Sequence, residues 1–132
     1  MGGKQPVYIA GVSYDNERRK ENREAMIDKA LSGIPNNAFV ILLAHHPEFF
    51  DEAIERNVPL TLSGHTHGGQ VRIFGYAPII PSHYGSRFLT GLKYNTANIP
   101  MIVTNGLGTS NRNIRIGAPT EVVVITLHQQ KE

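Results

Sequence analysis

Phe39-Val40-Ile41-Leu42-Leu43-Ala44-His45-His46-Pro47 is the stretch on which the fold turns. Phe39 to Ala44 is uniformly apolar, which predicts a strand covered on both faces. Pro47 suits the first turn of a helix running to about Arg56, with Phe50, Ala53 and Ile54 as its apolar side. Val58 to Leu62 is then a second apolar strand. Upstream, Val7 to Val12 reads as a strand, Ser13 to Asn16 as turn and capping residues, and about Glu17 to Leu31 as a helix. Ala25, Met26, Ala30 and Leu31 are its inward candidates, and Gly33 follows its end. Strand, helix, strand, helix, strand is an α/β pattern.

The second half changes character. Val71 to Phe74 alternates like a strand exposed on one face, and Tyr76 to Ser86 is a proline-containing irregular loop. Arg87 to Tyr94, Pro100 to Thr104 and Glu121 to His128 read as further strands. Asn105 to Asn111 is a polar, glycine-rich loop able to turn backbone N–H groups toward a phosphate. No repeat or linker interrupts the 132 residues, which fit one domain.

The chemistry gathers where apolar runs end. Gly64-His65-Thr66-His67 closes one run and is followed by Gly68-Gly69-Gln70; His45 and His46 close another. In an extended segment residues i and i+2 point the same way, so His65 and His67 would offer paired imidazole donors, the beginning of a metal site. His45 is the third candidate. All three fall at what would be carboxyl ends of strands, where open α/β sheets bind ligands. Neighbours in extended chain point oppositely, so only one of His45 and His46 should face the site. Gly68 and Gly69 permit a tight turn or close approach to an anion. His83 is a second pocket candidate beside His46, His128 reads as surface, and Asp15 as a capping residue. No Asp or Glu lies in either histidine motif, so the donor set is incomplete.

Composition sets the remaining bounds. With no cysteine, a disulfide scaffold and a thiolate zinc site are both excluded. The net charge of +2 is too small to argue for nucleic acid. Arg18, Arg19, Lys20 and Arg23 are interleaved with glutamates and read as a solvated helix face. Neither a membrane-length apolar run nor an opening signal sequence is present, so the chain as given is expected to be soluble.

Ile41 to Pro47, Leu62 to Arg72, Asn105 to Ser110 and the closing Ile116 to Leu127 together resemble the calcineurin-like metallophosphoesterases, in particular the bacterial YkuE/YaeI-type branch. The resemblance implies the C-terminal half of an α/β-sandwich, mixed sheets flanked by helices, and a hydrolase of phosphomonoesters or phosphodiesters that uses metal-activated hydroxide. It implies His45 and His65 as ligands of one metal and His67 of another, with Gly64, Gly68, Gly69 and Asn105 shaping the loops and Asn105 near the phosphate. The intact family site takes two divalent ions (Mn, Fe or Zn). The family's earlier motifs, which carry the bridging aspartate and the general acid, have no counterpart among residues 1–132. This partial domain should therefore hold at most one ion and be inactive or impaired by itself. A non-catalytic metal- or phosphate-binding module and a lone three-histidine zinc hydrolase are the alternatives. Half a sandwich should also self-associate through its exposed edges. Full-length members of the branch are cytoplasmic, membrane-associated or exported.

Overall fold

The computed structural model describes residues 6–13, 19–80 and 85–128; Asp15 and His83 lie outside them. The elements are β1 (Val7–Val12), α1 (Lys20–Leu31), β2 (Phe39–Ala44), a 3-10 turn (Pro47–Phe49) leading into α2 (Phe50–Glu55), and β3 (Leu60–Ser63). Two further 3-10 turns follow (His67–Gly69 and Gly85–Phe88), then β4 (Gly91–Tyr94) and β5 (Pro100–Val103). One five-stranded sheet forms in the order β1-β2-β3-β5-β4, parallel except for β4. The mixed α/β architecture expected from the sequence is therefore present.

Register explains which residues are buried. Ala10, Leu42, Thr61 and Met101 are laddered partners, so they share a face, and all are buried. Ile27 of α1 and Phe49 and Ala53 of the second helical segment pack on that face with Val40, Ala44 and Val58. Phe50 meets Phe88 edge-on at 5.7 Å and closes the second cluster over Met101 and Val103. The opposite face lacks such a cover. Val7, Ile9, Phe39, Leu43 and Leu92 stand there exposed, from 40% at Phe39 to 69% at Ile9. The expectation that Phe39–Ala44 is covered on both sides is thus corrected: among the described residues only one side is.

Other departures have local causes. In α1 it is Ile27 that is buried while Ala25 faces solvent, and Arg23 is buried against Glu52 of α2 at 2.6 Å. The basic helix face is therefore only partly solvated; Lys20 behaves as expected, pairing with Glu24 and Glu55. Residues 85–88 curl into a 3-10 turn because Arg87 pairs with Asp51 and Phe88 is drawn into the core, leaving only Gly91–Tyr94 as strand. Val71 and Ile73 make isolated bridges to Ile116 and Tyr76, and Phe74 turns left-handed, so residues 71–74 are no strand. Residues 121–128 find no partner strand among the described residues, and Val122, Val124 and Leu127 remain exposed. No helix is long and apolar enough to cross a membrane among the described residues.

Candidate metal centre

The parallel strands deliver their histidines to one edge. The ladder continues past the strand ends: Gly64 N–H donates to the His45 carbonyl at 3.1 Å, and Thr104 N–H to the Ser63 carbonyl at 2.9 Å. The segments after β2, β3 and β5 are thereby held side by side at the carboxyl edge, where ligands of such sheets bind.

His45, His46 and His65 each place a ring nitrogen within 4.8 Å of the others. The His46 and His65 rings stack at 3.8 Å between centroids, and His45 stands 5.3 Å from both. His46 thus joins His45 in one cluster, against the expectation that only one of the two would face it. Strand alternation ends at Ala44, so it does not govern the pair. The i,i+2 argument for His65 and His67 is also corrected. Both have positive φ, 66° and 50°, and the segment is a turn leading into a 3-10 step. Backbone held off the ordinary regions in this way is stored at functional sites. His67 lies outside the tight group, yet its charge is felt at His45.

The turn needs its neighbours. Thr66, buried, donates its hydroxyl to the Leu89 carbonyl at 2.6 Å and accepts from Gly68 N–H. Gly68 has φ +62°, and a Cβ there would meet Asn105 Oδ1 at 2.3 Å. Asn105 is buried and committed: Oδ1 accepts from Thr90, Nδ2 donates to the Pro119 carbonyl, and its N–H goes to Glu121. Those bonds fit loop shaping and leave its amide no donor aimed at a phosphate. Gln70 clasps the far side, accepting from Ser110 N–H and donating to the Ser110 and Arg112 carbonyls.

Burial, then the nearby His65 and His67, hold the His45 imidazole below its ordinary pKa. Burial, then Arg115, lower that of His67, against a hydrogen bond to Gly108 that raises it. Neutral rings keep the lone pairs that metals need. The donor set therefore fits one borderline ion such as Zn²⁺ better than a pair of hard cations.

Two residues escaped the sequence. Glu48 is buried with Oε2 3.7 Å from His46 Nδ1, which brings a carboxylate beside a cluster expected to have none. Only the 3-10 turn after Pro47 folds it back, and nothing in the spacing announces that. Arg115 reaches His67 from 48 positions away.

Comparison with known proteins gives consistent relatives. The chain is 39% identical over 97 residues, 74% of its length, to YkuE, an uncharacterized metallophosphoesterase of Bacillus subtilis. It is 35% identical over 126 residues to an uncharacterized metallophosphoesterase of Aquifex aeolicus, and 32% over 131 residues to one of Helicobacter pylori. These alignments cover 92% and 95% of the chain. The chain spans 34 to 45% of the length of these three relatives. No family model matches, and no solved structure matches significantly.

Proposed function

Because the chain belongs to the metallophosphoesterase family, we propose that its strand-end histidines form part of the metal site of a phosphoester hydrolase. The observation that carries this reading is the convergence of His45, His46 and His65 within 4.8 Å at the carboxyl edge of the sheet. His45 and His65 anchor one divalent cation and His46 completes its protein ligands. His67 serves the second ion of the family arrangement, whose other ligands lie outside these 132 residues. A cation bound there supplies Lewis-acid charge to phosphoryl oxygens and acidifies water. The chain's own residues bind and orient: Glu48 stands behind His46, while Gly64, Gly68, Gly69 and Asn105 give the loops their path. Phosphomonoesters or phosphodiesters are the substrates.

The test has two parts. Elemental analysis and titration should find one Zn²⁺ or Mn²⁺ per chain, lost in His45→Ala and His65→Ala. Joined to the N-terminal half of a relative, the chain should hydrolyse p-nitrophenyl phosphate, and inactivity of a folded, metal-loaded assembly would refute the hydrolase reading. A second reading, a non-catalytic metal- or phosphate-binding module, is favoured by the all-imidazole donor group. Metal bound without turnover in that assembly would select it.

A further inference from the structure

Arg115 is the most heavily bonded side chain among the described residues, and nothing in the reading above uses it. Its Nε donates to the Gly108 carbonyl at 3.0 Å. Nη1 donates to the carbonyls of Ala118 at 3.1 Å and His67 at 3.3 Å. Nη2 donates to the Asn105 carbonyl at 2.7 Å and to that of Gly108, with the Gly106 carbonyl at 3.3 Å. A guanidinium has five N–H groups, and five acceptors already account for them. No donor is left to grip a phosphate, so Arg115 is not a substrate-binding arginine.

We propose that Arg115 is a positioning residue that sets the ring of His67. Nη2 also lies 3.3 Å from His67 Nδ1. A guanidinium cannot accept a hydrogen bond, and both protons of Nη2 are already given to the closer Asn105 and Gly108 carbonyls. Nδ1 therefore keeps its own proton and donates it to the shared Gly108 carbonyl, the backbone hydrogen bond that His67 makes. Nε2 is left with its lone pair, the nitrogen able to coordinate a cation. Arg115 in this way fastens four segments, at His67, at Asn105 and Gly106, at Gly108 and at Ala118, around one ligand ring. Second-shell partners of metal-bound histidines commonly tie one ring nitrogen to a carbonyl in this manner.

This inference rests on His67 being a metal ligand, so its test reads the ring directly as well as the metal. In the 15N-labelled full chain, long-range 1H–15N spectra should show His67 as the Nδ1–H tautomer. Arg115→Ala should lose that signature while His45 and His65 keep theirs. Where the metal bound through His67 is measured, in the assembly with a relative's N-terminal half, Zn²⁺ affinity should fall about 10- to 100-fold. Arg115→Lys should fail to restore either, because an ammonium offers three donors from a point rather than five in a plane. A folded Arg115→Ala with the His67 tautomer unchanged would overturn the proposal. If that variant does not fold, the same signal in folded Arg115→Lys decides in the same way. Loss of the tautomer signature with no Zn²⁺ bound by the unsubstituted assembly would support the positioning role and overturn the metal reading alone.

Discussion

Replacing Gly68 with alanine tests the architecture of the histidine turn more sharply than removing a ligand. Gly68 sits at φ +62°, and the added methyl would lie 2.3 Å from Asn105 Oδ1. The left-handed conformation alone costs alanine about 1 kcal/mol. Pushing the Asn105 amide aside breaks its bonds with Thr90 and the Pro119 carbonyl, at about 1 kcal/mol each. The sum is about 3 kcal/mol, a large share of a typical domain stability. Gly75 is the control: its φ is +84° and nothing lies within 4 Å of a Cβ placed there, so Gly75→Ala isolates the conformational cost. In urea melts with a slope of about 1.5 kcal/mol/M, Gly68→Ala should lower the midpoint by about 2 M and Gly75→Ala by about 0.7 M. Equal shifts in the two variants would refute the clash with Asn105, and with it the claim that the turn is shaped by that contact.

Three further outcomes are expected. His45 and His67 titrate below the ordinary histidine value of about 6.5. The unfolded chain therefore takes up more protons than the folded one as pH falls through that value. Stability and Zn²⁺ affinity should be full above it and decline below it, and flat melts and titrations between pH 7.5 and 5 would contradict this. Glu52→Ala leaves Arg23 charged and buried and should cost about 3–5 kcal/mol in urea melts, whereas Arg23→Met with Glu52→Leu should recover most of that; a single variant within 1 kcal/mol of the parent refutes the role of the pair. The open apolar sheet face should drive concentration-dependent association in sedimentation, reduced by Ile9→Lys together with Leu92→Lys, and an unsubstituted chain monomeric at every concentration would count against it.

The runs at residues 7–12 and 39–44 were legible as strands with the bounds later observed, and the run at 58–62 was displaced by about two residues, because a β-branched apolar stretch is local information. What covers a strand is not local. The same residues 39–44 that suggest two buried faces have one, since burial depends on what packs above the sheet. Residues 71–74 and 121–128 show the limit of alternation: a strand needs a partner as well as a pattern. In the site, the strand-end positions of His45 and His65 were readable from the runs before them. That His46 joins them, and that His65 and His67 occupy a left-handed turn, follows from backbone angles no spacing rule encodes. Arg115 and Glu48 were invisible for a related reason, since their significance is set by where the chain returns.

The order of the strands bears on how the molecule comes apart. The segments carrying His45, His65 and Asn105 follow β2, β3 and β5, the three inner strands, while β1 and β4 form the rims. Thermal fraying starts at rims, where each strand has a single neighbour. The coordinating edge is consequently the last part of the sheet to loosen, shielded by two sacrificial borders, and amides next to the imidazoles should be among the slowest to exchange with solvent deuterium.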